Sequence, residues 1–243
     1  MKPSDGAPAP ENPRTAADSL PIVYEDDEIW VVNKDSGLPS TGKTLSDPNC
    51  AQSLLAERVG RMPFAIHQLD QGTSGLLMFA KRKTALVQWQ QKMANKSVRK
   101  IYWAWARGPM DAKGWQKIDA PLSYDDRLRR QRVNPTGKKA LTHWRVLASS
   151  STASLVELRL LTGRTHQIRV HLAHLGHPIF GDERYGGNSY ERLALHACRL
   201  RLPLVSEAIW LSAHVPQSLR RLSDAHGLSV PASGEGIESR PAT

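Results

Sequence analysis

Polar and apolar positions first fall into a pattern at IVYEDDEIWVVNK, residues 22–34, where Ile, Val, Tyr and Trp flank an acidic pair, Asp26 and Asp27. β-Branched and aromatic residues broken by such a pair predict strand structure with a turn between. A loop follows over DSGLPSTGKTLSDPN, and GLLMFAK at 75–81 predicts a second strand. In TALVQWQQKMAN the period changes: Leu86, Trp89 and Met93 stand at i, i+3 and i+7, with Thr84 as the expected N-cap. That spacing predicts an amphipathic helix whose three large residues belong to the core. The period returns to two in SVRKIYWAWARG, predicting a strand with Ile101, Trp103 and Trp105 on an apolar face and Lys100 and Tyr102 on the other. LTHWRVLA, ASLVELRLL, LALHACRLRL and AIWLSAHV read as further strands. Between them, Ile168, Leu172 and Leu175 recur at helical spacing, and Gly176 with Pro178 supplies the stop. Strands and helices mix without regular alternation and without an internal repeat, which points to the α+β class.

The chain has 243 residues, 40% of them hydrophobic, enough for a sizeable core. Residues 1–20 and 223–243 are rich in Pro, Ala, Ser and Gly without apolar periodicity, so both are expected to be flexible tails around a folded domain at 21–222. The first stretch lacks the basic-then-apolar order of a secretory signal, and no segment approaches the length of a membrane span. Cys50 and Cys198 form no CxxC pair, which suits two small buried residues in a reducing cytoplasm. The formal net charge is +10; the tails contribute −1 and −2, leaving +13 between them. A balance of that size implies a polyanionic partner, nucleic acid before an anionic membrane, because no basic amphipathic helix stands out. Arg127, Arg129, Arg130, Arg132, Lys138 and Lys139 crowd a turn at Asn134–Gly137; a solvated hairpin explains such density, and so do phosphate contacts.

Candidate chemistry narrows quickly. His166, His171, His174 and His177 suggest a metal, but their separations of five, three and three match no i, i+4 pair, and no HExxH or paired acid completes a site. GTSGL lacks the spacing of a GxSxG nucleophile elbow, and no Walker A or dinucleotide fingerprint is present. In HQLDQGTSGLL, Asp70 precedes Gly72 and Gly75, which by itself suits an Asx-turn.

HQLDQGTSGLLMFAK, RKIYWAWARG and LTGRTHQIRVHLAHLGHPIFGDERYGG resemble, in order, successive motifs of RluA-type pseudouridine synthases. EDDEIWVVNKDSGL and LALHACRLRL resemble the flanking ones, so the likeness runs from about Ile22 to Pro216. The resemblance implies a mixed, largely antiparallel sheet flanked by helices, with the active-site cleft across it. It implies Asp70 as the catalytic aspartate, Tyr102 stacked on the target base, Arg164 paired with Asp70, and Ile168 walling the pocket. Isomerising uridine involves no net redox change or group transfer, so no cofactor is expected. What the chemistry needs is a carboxylate beside a fixed cation, an aromatic face and a closed pocket. The uridine must be flipped out of its helix, and Lys100, Arg129, Arg130 and Arg132, with Lys81 nearby, are expected to contact phosphates.

Two positions depart from the family pattern: Gln68 stands where arginine is usual, which bears on substrate recognition, and Asp35 stands where proline is usual. No S4-like RNA-binding domain is expected, so the resemblance is to the short members, which act on ribosomal RNA, transfer RNA or both. The expected working unit is a monomer in the cytoplasm, with RNA as partner and neither membrane nor metal. The rival reading is a non-catalytic RNA-binding or RNA-chaperone protein that keeps the fold; loss of Asp70, Tyr102 or Arg164 would have favoured it.

Overall fold

Asp26 shows why the chain turns where it does. Its Oδ1 accepts from the backbone N–H groups of Glu28 and Ile29, both at 2.8 Å, and its Oδ2 accepts from the Tyr24 hydroxyl at 3.0 Å. The acidic pair therefore closes an antiparallel hairpin of β1 (Ile22–Glu25) and β2 (Ile29–Lys34). The structure, a computed structural model, describes residues 20–44, 47–205 and 207–231.

Helix α1 (Ala51–Val59) starts at Cys50, whose Sγ accepts from the Ser53 N–H, and β3 (Phe64–Ala65) is a short return. All seven residues of β4 (Ser74–Ala80) are buried, the mark of a strand covered on both faces. Helix α2 (Lys83–Ala94) begins one residue before Thr84; Arg82 holds the N-cap position without a side-chain cap, so the expected Thr84 cap does not form. Trp89 is fully buried and donates its indole N–H to Glu28, while Leu86 and Met93 pack at the margin of the same core cluster.

Strand β5 (Arg99–Arg107) runs through the middle of the fold. Ile101 through Ala106 are all buried, and the expected division of faces holds: Lys100 and Tyr102 line a cleft, and Ile101, Trp103 and Trp105 alternate to the other side. One face is closed by packing, and the other, bearing Tyr102, forms the floor of a cleft. After it come β6 (Gln116–Asp119), the separate hairpin of β7 (Leu122–Asp125) and β8 (Arg130–Val133), β9 (Leu141–Ser149) and β10 (Ala153–Leu160). Helix α3 (Gln167–His174) buries Ile168 and Leu172; Leu175 sits beyond its end and is exposed. A 3-10 turn at Glu183–Tyr185 precedes β11 (Leu195–Pro203), β12 (Ala208–Ser212) and α4 (Gln217–Ala225).

The large sheet has the order β1-β2-β4-β11-β5-β10-β9-β6, with β12 beside β11 and β3 beside β4. Among the described residues every strand pairing is antiparallel except β4 with β11, which meet over His196–Ser74 and Ala197–Gly75. Gly75 makes that contact possible: its φ is +111°, and a Cβ there would stand 2.2 Å from the Ala197 carbonyl oxygen. This is the expected mixed, largely antiparallel α+β architecture. The fold also runs past the expected boundary at Leu222, because Ser223 is buried in α4 and its Oγ accepts from the Trp105 indole at 2.6 Å. Residues 1–19 and 232–243, most of the expected tails, lie outside the described residues.

His196 couples this core to pH. It is fully buried with Nδ1 2.8 Å from the Ser74 hydroxyl, and burial, assisted by the charge of Arg192, pushes its pKa down to about 3. An imidazole that stays neutral when folded but binds a proton when unfolded withdraws stability as pH falls below about 6.5, by up to about 1.4 kcal/mol per pH unit. Urea midpoints should therefore fall from pH 6.5 to pH 4.5, less steeply for His196→Gln; equal slopes would show that other groups govern acid unfolding.

Candidate active site

Asp70 ends an extended segment and opens a turn that the backbone closes by itself, Thr73 N–H donating to the Asp70 carbonyl at 2.9 Å. The turn is clasped from the β2–α1 loop. Ser40 Oγ donates to the Leu69 carbonyl and accepts from the Leu69 N–H, and Ser36 donates to the Gly72 carbonyl. Lys34, fully buried, donates from Nζ to the carbonyls of Asp35 (2.9 Å), Leu38 (2.6 Å) and Gln71 (3.2 Å). Burial, then the charge of Arg192, lowers its pKa to about 8, against the pull of Asp35 and Asp70. The Asp70 carboxylate is thus left to face the cleft instead of folding back as an Asx-turn.

The cation it meets is Arg169, not the expected Arg164. Arg169 Nη1 lies 3.4 Å from Asp70 Oδ2, and His166 Nε2 lies 4.0 Å from Oδ1. Arg164 is exposed and its Nε donates to the Lys139 carbonyl at 3.0 Å. The start of α3 separates the two arginines. Buried Gln167 accepts from the Arg164 N–H and the Thr162 hydroxyl, and donates to Leu141 O and Thr142 Oγ1, which pins the helix entry. Arg164 stays outside on the turn, whereas Arg169, two residues into the helix, reaches inward. There Asp182, 1% exposed, takes it in a fork: Nε to Oδ2 and Nη2 to Oδ1, both at 2.8 Å. Burial opposes the charge on Arg169, but Asp182 and Asp70 outweigh it and its pKa is raised.

His166 occupies the helix N-cap with φ +57°, left-handed backbone uncommon for a non-glycine residue. Its Nδ1 lies 2.8 Å from the Tyr185 hydroxyl, and the two rings meet edge-on at 5.6 Å. Burial, with the charges of Arg169 and Arg184, lowers its pKa although Asp70 pulls the other way, so the ring facing Asp70 is neutral near pH 7.

Asp70, His166 and Arg169 line a cleft of about 750 Å³, within the usual range for a ligand site. Tyr102, Ile168, Gln68, Lys100 and Arg164 line it as well. Tyr102 is 4% exposed, and its phenol pKa is raised by burial and then by the charge of Asp70, which keeps the hydroxyl protonated. Gln68 is exposed, with Nε2 3.3 Å from the Thr41 hydroxyl. Arg129, Arg130 and Arg132 do not line the cleft. Arg132 pairs with Asp125 at 2.9 Å, and Arg130 donates to the carbonyl of Arg184, which does line it; Arg184 in turn donates to Arg129 O.

The four histidines disperse. His171 is buried between Thr142 and the Ala120 carbonyl, His177 contacts the Arg107 carbonyl, and His166 faces Asp70. Among the described residues, no group of three or more His, Cys, Asp and Glu side chains could hold a metal. No described helix is long and apolar enough to cross a membrane.

A family profile described as RNA pseudouridylate synthase matches residues 28–174. Ribosomal large subunit pseudouridine synthase C of Vibrio cholerae serotype O1 is 36% identical over 220 residues, covering 84% of this chain and 70% of its own length. An uncharacterized RNA pseudouridine synthase of Bacillus subtilis, YhcT, is 38% identical over 215 residues, covering 84% and 71%. Among solved structures, human RNA Pseudouridylate Synthase Domain Containing 4 superposes with a TM-score of 0.71 at 26% identity, covering 86% of this chain and 94% of that one. The chain belongs to the RNA pseudouridylate synthase family. Its activity is accordingly that of an isomerase acting on RNA.

The two arginines make opposite predictions. Arg169→Met leaves Asp182 as an uncompensated buried charge and should cost about 3–5 kcal/mol of stability together with turnover. Arg164→Met should keep a wild-type melting profile. Urea unfolding of the two variants side by side checks this, and equal losses would refute the assignment of the pair.

Proposed function

We propose that this cleft converts a uridine of ribosomal or transfer RNA to pseudouridine, with Asp70 as the catalytic aspartate. The observation that carries the reading is the Asp70 carboxylate, presented to the cleft and faced by an arginine that Asp182 holds in place. The RNA class follows the Vibrio cholerae relative, which is named for the large ribosomal subunit.

Asp70 acts at the ribose or assists cleavage of the bond from C1′ to N1. The freed uracil turns within the pocket, C5 bonds to C1′, the C5 proton leaves, and N1 takes one up. Atoms and electrons balance without a cofactor. Arg169 supplies fixed positive charge beside the carboxylate, Tyr102 offers an aromatic face for the base, and Ile168 walls the pocket against loss of free uracil. Base flipping brings the ribose carbon within reach, at a cost of a few kcal/mol in lost stacking. Lys100 and the β7–β8 hairpin, with Arg129, Arg130 and Arg132, give phosphate contacts that offset it. The reading takes the protein as a cytoplasmic monomer. A non-catalytic RNA-binding role has less support, since it needs no buried acid to brace an arginine against a second carboxylate.

Asp70→Asn tests the reading. It should abolish pseudouridine formation while leaving RNA affinity within about tenfold, roughly 1.4 kcal/mol, because it removes a reacting group and little contact area. Product formation by the purified variant, freed of contaminating synthase, would defeat the proposal.

Lys100 adds a pH signature. Burial, then the charge of Lys96, lowers its pKa to about 8, so its charge is present at pH 7 and largely gone by pH 9. RNA affinity should decline across that interval in the wild type and stay nearly flat in Lys100→Met. Parallel declines in filter-binding titrations would show that Lys100 meets no phosphate.

A further inference from the structure

The face of the sheet turned away from Asp70 has a charge pattern of its own. Lys100 and Tyr102 line the cleft, so strand alternation sends Arg99, Ile101, Trp103 and Trp105 to the opposite face. Trp105 is covered there by α4 through Ser223. Beyond it basic residues begin. Directly paired residues share a face, and the register sets Arg159 opposite Ile101 and His143, Glu157 opposite Trp103 and Arg145, and Lys117 opposite His143. It also sets Arg199 opposite Ile101, and Arg201 opposite both Arg99 and Trp210. Arg99, Lys117, Arg145, Arg159, Arg199 and Arg201 therefore form one basic field over five strands.

Aromatic rings hold much of it in place. Trp115 lies under two guanidinium groups, 4.0 Å from Arg159 and 4.9 Å from Arg145, and Trp210 lies 4.7 Å from Arg199. Glu157 is a carboxylate within the field, 3.2 Å from Arg145 and 3.9 Å from Arg159. Burial, with the charges of Arg145, Arg99 and Arg199, lowers the pKa of Arg159 although Glu157 opposes them. The aliphatic stems explain why Ile101 and Trp103 are shielded. They do not explain why Arg99, Lys117 and Arg201 add further positive charge to the same face, charge that a phosphate backbone would neutralise. Guanidinium groups already fixed by rings lose little freedom on meeting a phosphate.

We propose that this face is a second RNA-binding surface, taking the sugar–phosphate backbone of a segment of the RNA that lies outside the cleft. It rests on the chain's being an RNA-modifying enzyme and extends it to the far side of the sheet.

The test compares wild type with the triple variant Arg99→Gln, Lys117→Gln, Arg201→Gln, and with Arg99→Glu, Lys117→Glu, which changes two exposed positions only. The probes are protein-free large-subunit ribosomal RNA and a short uridine-containing stem-loop sized for the cleft. With the long RNA, the log–log slope of affinity against salt should fall in magnitude by about 2 for the triple variant, at roughly 0.7–0.9 per phosphate. The charge-reversed pair should bind the long RNA at least several-fold more weakly in low salt. Affinity for the stem-loop should be unchanged in both. Unchanged slope and affinity on the long RNA would overturn the proposal and leave the face to an acidic protein partner. Equal losses on both RNAs would overturn it too, by showing a general charge effect. A wild type that makes no pseudouridine yet shows the slope difference would sink the assignment of the reaction and keep the surface.

Discussion

Arg169 stands between two carboxylates, and the site depends on how unequally it treats them. Asp182 receives two short parallel bonds in a buried setting, whereas Asp70 receives one long contact from the remaining nitrogen. An arginine free to move would collapse onto the Asp70 carboxylate and occupy its oxygens; one held by a fork elsewhere can lend charge without blocking access. The clasp of Ser36, Ser40 and Lys34 on the Asp70 turn does the same for the carboxylate itself. Both partners are fixed from behind, which is the preorganisation that charge stabilisation requires.

Much of the fold could be read from periodicity because each strand and helix carries its own apolar spacing. The α+β class, the strands about 22–34 and 99–107, and the helix that buries Trp89 all follow from it. The misreadings have physical causes. Thr84 has the right chemistry for a cap, but the chain enters the helix one residue earlier. Ser223 belongs to a polar-looking tail until the Trp105 indole, more than a hundred residues away, gives it a partner.

The site was legible in its motif and less so in its wiring. Asp70 and Tyr102 fall in segments whose character was plain, and both reach the cleft. Arg164 and Arg169 flank the same histidine, and choosing between them requires knowing where α3 begins. A signal did exist: Arg169 lies between Ile168 and Val170 in a stripe whose other members are core, and Asp182 follows Phe180 in an apolar run. Charges in such places pair with each other or cost the fold dearly. His166 gave no comparable sign, since its left-handed backbone depends on Gln167 pinning the turn.

The order of strands has a consequence for how the chain is born. β11 lies between β4 and β5, although β4 and β5 are near neighbours in sequence and β11 comes about a hundred residues later. While the ribosome is still making that stretch, two finished strands wait with their inner edges unpaired, one of them, β4, apolar along most of its length. Such edges are templates for the wrong partner. The gap closes only when residues near 195–203 emerge, so until then the two half-sheets on either side of it, β1-β2-β4 and β5-β10-β9-β6, have no strand to join them.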